Sequence, residues 1–181
     1  GQPEQTFKLR RFELQDIGDA LKIEHQSFPT PWSTAMFVLE LSKAGNICIA
    51  ATDEDELIGY LVAARYAQVW HVMNVSVDPS CRRGGVGSGM LAELFRIADR
   101  ERTHYTLEVR VSNDGAIRMY QQGGFRAAGT RPGYYADNRE DALINEVYDA
   151  YQRELKQLNA VDFDDLLILA VRGLDENPDL Q

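Results

Sequence analysis

Apolar and polar residues alternate over Thr6–Phe12, the two-residue period of a strand with one buried face. From Asp16 to about Phe28 the apolar positions Ile17, Leu21 and Phe28 suit a helix. Phe28-Pro29-Thr30-Pro31-Trp32 ends it, because each proline disfavours helical backbone in the residue before it. Ser33 is placed to cap a second helix through Lys43, closed by Ala44-Gly45-Asn46. Ile47–Thr52 and Leu57–Gln68 are β-rich runs joined by the acidic turn Asp53-Glu54-Asp55-Glu56, a hairpin pattern. Trp70–Val77 reads as a further strand, closed by Asp78-Pro79. Met90, Leu91, Leu94, Phe95 and Ala98 mark a helix over Gly85–Arg102 with glycines at its start. Tyr105–Val111 is a strand, and Asn113 or Asp114 caps a short helix to Gln122 that Gly123-Gly124 stops. Phe125–Arg131 and Ala142–Val147 are expected as the last strands, with the loop Pro132–Asp141 between them. Tyr148–Leu158 and Phe163–Leu174 then read as two helices, Asp162 capping the second. The order implies an α+β fold, a mixed, largely antiparallel central sheet flanked by helices, with a C-terminal helical appendage.

Composition narrows the class. The 181 residues are 44% hydrophobic and 26% charged, ordinary for a soluble globular domain and too apolar for wholesale disorder. Acidic residues outnumber basic ones 28 to 19, for a net charge of −9, which argues against direct nucleic-acid binding. The excess is uneven. Residues 146–181 hold nine acidic and three basic groups and so carry −6 of it, which points to a junction near residue 145. Cys48 and Cys81 stand alone, and two scattered thiols imply a reducing, cytoplasmic setting. No membrane span is expected, since Leu166–Val171 is far shorter than the roughly 20 apolar residues one needs. The first residues lack the basic and apolar regions of a secretory leader. His25, His71 and His104 show no ligand spacing, so no metal is expected.

The densest chemical pattern is Arg82-Arg83-Gly84-Gly85-Val86-Gly87-Ser88-Gly89, between a strand and a helix. Glycines there allow close approach of backbone to a ligand, and free N–H groups at a helix start favour an anion such as pyrophosphate. Two arginines beside it can pair with phosphate oxygens. A dinucleotide reading has Gly87-Ser88-Gly89-Met90-Leu91-Ala92 as G-x-G-x-x-A with Glu108 about 20 residues on. Against it, Asp78–Arg83 separates the glycines from their strand, Glu108 lies mid-strand, and further βαβ units are missing. Walker A, G-x-S-x-G and HExxH patterns are absent, which weighs against NTPase, serine-hydrolase and zinc-protease classes.

Arg82-Arg83-Gly84-Gly85-Val86-Gly87 also fits R-x-x-G-x-G, and there the chain resembles the GNAT acyltransferase family. Asn74-Val75-Ser76-Val77-Asp78-Pro79 is similar to that family's strand before the loop. Leu107-Glu108-Val109-Arg110-Val111-Ser112-Asn113 through Ala116, Ile117 and Tyr120 follows its L-E-V-R-x-S-N-x-x-A-I-x-x-Y pattern, and Gly124-Phe125 and Gly133-Tyr134-Tyr135 continue it. Within the family the set resembles RimI-type N-terminal acetyltransferases of ribosomal protein alanine, over about residues 6–145.

That resemblance implies an enzyme using acetyl-coenzyme A as cosubstrate and a protein N-terminus, such as that of a ribosomal protein, as acceptor. It implies Glu108 as general base and Tyr120 as the acid that protonates the departing thiolate. Arg82, Arg83, Gly84, Gly85, Val86, Gly87 and Ser88 would hold the pyrophosphate. Val75 and Val77 would offer backbone groups to the thioester and pantetheine arm, their side chains going to the core. Asn113 would contact the cofactor, and Tyr134 and Tyr135 would line the peptide groove. Structural readings stand beside these. Glu108 suits the polar face of a half-buried strand, Tyr120 a core aromatic, and Asn113 a helix cap.

Two departures from the family pattern stand out. Gly123 precedes Gly124-Phe125 where a bulkier apolar residue is usual, and the closing strand after Ile144 continues with Asn145 and then with foreign-looking sequence. Residues 146–180 instead resemble a segment of UvrD/PcrA-type DNA helicases through Asn159-Ala160-Val161-Asp162-Phe163-Asp164-Asp165-Leu166-Leu167. Residues 1–145 are therefore expected to be the acetyltransferase domain and 146–181 a helical tail through which copies self-associate. Other functions consistent with the sequence are acetylation of a small-molecule amine and non-catalytic binding of acyl-coenzyme A.

Overall fold

Strand and helix starts follow from local chemistry more than from hydropathy. The computed structural model describes residues 6–98 and 103–148. The helices expected beyond Tyr148, the helicase-like segment and the last turn of the Gly85–Arg102 helix lie outside the described residues. Two compact units are distinguished among the described residues, 6–65 with 71–98 and 66–70 with 103–148.

The first carries β1 (Lys8–Arg11), β2 (Ile47–Asp53), β3 (Glu56–Tyr66) and β4 (Val69–Val77), in the order β1-β2-β3-β4. Pairing of β2 with β1 and with β3 is antiparallel. The acidic turn is tighter than expected: Asp53 pairs with Glu56, and Glu54 turns the chain at φ +52°. Three helices accompany these strands, α1 (Ile17–Ser27), α2 (Thr34–Leu41) and α3 (Val86–Ile97). Before α1, the Asp16 carboxylate accepts both Arg10 Nη1 and Nη2 at 2.7 Å and the Glu13 N–H at 2.8 Å. That clamp fixes where the helix begins. Ser33 caps α2, its hydroxyl accepting the Met36 N–H at 3.3 Å.

α1 buries Ile17, Ala20, Ile23 and Glu24, while Leu21 is only partly covered. Its apolar residues join Phe12, Phe37, Ala50, Leu57, Tyr60 and Val62 in one core. Phe37 stacks on Phe12 at 5.8 Å and meets Tyr60 edge-on at 5.5 Å and Trp32 at 5.2 Å. Each such buried ring contributes about 1.5–3 kcal/mol by leaving water. On β4 the alternation runs opposite to expectation. Asn74 and Ser76 are buried, whereas Val75 and Val77 are half-buried, so the valine side chains are not core. The physical reason is Glu24, a fully buried carboxylate that needs donors. It accepts the Trp32 N–H at 2.8 Å, the Tyr60 hydroxyl at 2.5 Å and the Asn74 side-chain amide. Burial and this carboxylate hold the Tyr60 phenol far above its ordinary pKa.

The second unit carries β5 (His104–Arg110), α4 (Asp114–Gln122), β6 (Arg126–Arg131) and β7 (Ala142–Tyr148), with strand order β5-β7-β6 and both pairings antiparallel. Asn113 caps α4, its Oδ1 accepting the Ala116 N–H at 3.2 Å. Gly123 closes α4 in helical conformation, and Gly124 follows at φ +97°. β7 runs to Tyr148, and Asn145, Glu146 and Val147 are buried between its neighbours. Tyr148 thus ends a strand and does not open a helix. Glu146 meets His104 at 3.2 Å, Oε2 to Nε2. The α+β class expected from the pattern is observed.

Candidate active site

In the first unit, the glycine-rich turn leads from β4 into α3. Gly85 sits at φ +79°, left-handed backbone that a Cβ would strain, and no side chain caps the helix. The first intrahelical bond is Gly89 N–H to Gly85 O at 2.8 Å, so the N–H groups of Val86, Gly87 and Ser88 precede the ladder. They form a ready cradle for an anion, which fits the pyrophosphate of acetyl-coenzyme A. Val86 has only its backbone to offer there, since its side chain is buried. Gly89 has a different task. A Cβ there would lie 2.8 Å from Phe7 Cζ, so glycine is what lets α3 pack against that ring.

The two arginines diverge. Arg82 is tied back into the protein, Nε donating to Val77 O and Nη2 to Ser27 Oγ, each at 3.2 Å. Ser27 Oγ in turn lies 3.0 Å from Ser76 Oγ. Arg83 is exposed at φ +65° and engages no other described residue, so of the two its guanidinium is the uncommitted one. The Val77 carbonyl, expected to serve the pantetheine arm, already accepts from Arg82.

In the second unit, the structure gathers Glu108, Tyr120, Tyr134 and Tyr135. Glu108 is on β5 with its side chain 16% exposed, and its Oε1 accepts Arg131 Nε at 2.9 Å. Hydrogen bonding with Glu108, then burial, pushes the Tyr134 phenol up to about 12. Tyr134 and Tyr135 meet edge-on at 5.2 Å. Tyr120 is buried on α4, edge-on to Phe125 at 5.8 Å. Burial first, and the neighbouring Tyr135 second, raise its phenol well above the ordinary value. It therefore keeps its proton at neutral pH. Asn113 spends its carbonyl oxygen on the helix cap, leaving only its NH₂ for a ligand.

Two residues not singled out from the sequence organise this cluster. Arg110, two positions from Glu108 on β5, lies 3.9 Å over the Tyr135 ring and bonds Asp137 at 3.0 Å and Glu140 at 3.3 Å. Glu140 also accepts the Ser112 N–H at 2.9 Å, and Asp141 accepts Gly133 N–H at 2.8 Å. Residues 133–141 are thereby strapped to the end of β5. Arg131 is the other, as the partner of Glu108. The same-face spacing of Glu108 and Arg110 was visible in Leu107-Glu108-Val109-Arg110. Their partners were not, because they depend on the β5-β7-β6 register.

The acetyltransferase (GNAT) family model matches residues 17–125. The chain belongs to this family. The putative ribosomal protein bS18-alanine N-acetyltransferase of Bacillus subtilis is 32% identical over 143 residues, covering 75% of this chain and 91% of that one. The crystal structure of the ribosomal-protein-S18-alanine N-acetyltransferase from Escherichia coli superposes with a TM-score of 0.72 at 27% identity, covering 79% and 94% of the two chains. An uncharacterized protein of Mycobacterium leprae, ML0378, is 34% identical over 135 residues, but the chain spans only 37% of its length. As a GNAT member with RimI-like relatives, the protein is an acetyl-coenzyme A-dependent N-acetyltransferase. No helix among the described residues is long and apolar enough to cross a membrane.

Proposed function

We propose that this acetyltransferase acts on the N-terminal α-amine of a protein, a ribosomal protein being the acceptor class its relatives suggest. The observation that carries this reading is the placement of one carboxylate, Glu108, beside the Tyr134–Tyr135 pair on the second unit. An α-ammonium has an ordinary pKa of about 7.7–8.0 and must lose a proton before it can attack a thioester. Glu108 takes that proton, directly or through water. The amine nitrogen bonds to the acetyl carbon, the carbon–sulfur bond breaks, and Tyr120 supplies the proton that the departing thiolate needs. The second proton, shed by the nitrogen as the amide forms, restores the Tyr120 phenol, while the one on Glu108 leaves to solvent. The N–H groups of Val86, Gly87 and Ser88, with Arg83, hold the pyrophosphate. Val75 and Val77 flank the thioester arm, and the Asn113 amide is left to the cofactor.

The same reading assigns residues 1–145, with the remainder of β7, to the acetyltransferase domain and the following segment to a separate tail. Two free thiols, Cys48 and Cys81, support a reducing compartment such as the cytoplasm. Glu108→Gln tests the base directly. We expect kcat/KM for an alanine-initiated peptide to fall at least about a hundredfold, the usual scale for general acid–base catalysis. Retention of wild-type turnover removes Glu108 from that role.

A further inference from the structure

Arg131 is the last residue of β6, and its side chain is 54% exposed, against 16% for the Glu108 carboxylate it pairs with. Among the described residues, that single 2.9 Å contact from Nε is the one hydrogen bond the guanidinium makes. The neighbouring loop does not depend on it. Residues 133–141 are held by Arg110 through Tyr135, Asp137, Asn138 and Glu140, by Ser112, and by the Gly133–Asp141 bond. The arrangement is therefore firm at the Arg110 end and loose at the Glu108 end.

We infer that Arg131 is the resting counter-ion of Glu108 and that the acceptor's ammonium reaches this carboxylate by taking the guanidinium's place. The inference rests on the reading of Glu108 as the group that meets the acceptor amine. A cation-for-cation exchange leaves the half-buried carboxylate neutralised before and after binding, so neither state carries an unpaired charge there. A single ion pair to a guanidinium that is more than half exposed is weak, which makes it a displaceable partner. The other pair on this face, Arg110 with Asp137 and Glu140, has more contacts and less exposure, and it stays. Arg131 thus sets the acceptor affinity without touching the acyl donor, and it disfavours neutral acceptors that bring no charge to replace its own.

The test is steady-state kinetics on the full chain with an alanine-initiated peptide, comparing wild type, Arg131→Gln and Arg131→Lys. With the competing cation gone, Arg131→Gln lowers the peptide KM roughly two- to fivefold, the span one exposed ion pair allows, while the acetyl-coenzyme A KM stays put. Arg131→Lys returns the peptide KM towards wild type. A peptide KM that rises or does not move in Arg131→Gln overturns the exchange, as does a glutamine effect that lysine fails to reverse. Wild-type acetyl-coenzyme A KM in each variant establishes that the fold is intact. Failure of the base reading shows elsewhere, as wild-type turnover in Glu108→Gln, so the two ideas are separated by KM in one variant and kcat in the other.

Discussion

Tyr120 occupies a position that packing and chemistry would each explain. Its pattern position in Asn113-Asp114-Gly115-Ala116-Ile117-Arg118-Met119-Tyr120 suits a core ring and a proton donor alike, and burial against Phe125 shows the first of these. The two roles part on substitution. Tyr120→Phe keeps the ring and removes the proton, so we expect kcat to fall about a hundredfold or more with little change in acetyl-coenzyme A KM. An unchanged kcat leaves Tyr120 as packing alone. Glu24 is the contrasting case, a carboxylate whose burial hydropathy would not place. Glu24→Ala leaves the Trp32 N–H, the Tyr60 hydroxyl and the Asn74 amide without their acceptor. Unsatisfied buried donors cost about 1–3 kcal/mol each, so urea unfolding should show a loss of about 3 kcal/mol or more. A loss below about 1 kcal/mol contradicts the network. Glu108, Tyr120, Tyr134 and Tyr135 were legible because their chemistry lies in a local pattern. Arg110, Arg131 and Glu24 were not, because their partners come from segments 8 to 50 residues away.

At the scale of elements, caps and turns were the readable parts. Ser33 and Asn113 cap α2 and α4 as their side chains imply, and the strand runs appear within a few residues of expectation. The burial of β4 was the clearest miss. Val75 and Val77 looked like core, but the sheet turns Asn74 and Ser76 inward to serve Glu24 and Ser27. The start of α3 depends on glycine for a reason sequence does not show, the Phe7 ring against Gly89. Gly89→Ala forces ring and helix apart, and a loss of about 1–3 kcal/mol is expected by thermal melting, the usual scale for overpacking. A variant as stable as wild type shows that Phe7 yields freely. The loop after β6 supplies a pH signature. Hydrogen bonds from Ser112 hold the Glu140 carboxyl down to about 2, against an ordinary 4.5. A depressed folded-state pKa stabilises above the unfolded value and is lost as the carboxylate protonates. The stability advantage of wild type over Glu140→Gln should therefore be full above about pH 4.5 and fade towards pH 2. An advantage that persists unchanged at pH 2 contradicts the assignment.

At the scale of the molecule, the charge of −9 describes two populations. The acetyltransferase body is nearly balanced, and its local charges are arranged in pairs around β5, while most of the excess follows β7. The pI is accordingly a poor guide to the acceptor. Fold class and family were legible because the glycine-rich turn, the Leu107–Tyr120 pattern and the tyrosine pair recur in fixed order. The place where the domain ends was harder to read. Residues 146 and 147 look foreign to the family pattern, yet they lie buried in β7, within the strand that the hydropathy over Ala142–Val147 implies. Glu146 pairs with Thr106 and with Arg126, and Val147 with Tyr105, which keeps them in the fold. The central claim is transfer to a protein N-terminus, and the most direct measurement is acetyl transfer from labelled acetyl-coenzyme A to alanine- and serine-initiated peptides beside spermidine and spermine. We predict label on the peptide α-amine, abolished when that amine is blocked beforehand, with the polyamines at background. Preferential labelling of the polyamines, or undiminished labelling of a blocked peptide, would contradict the account.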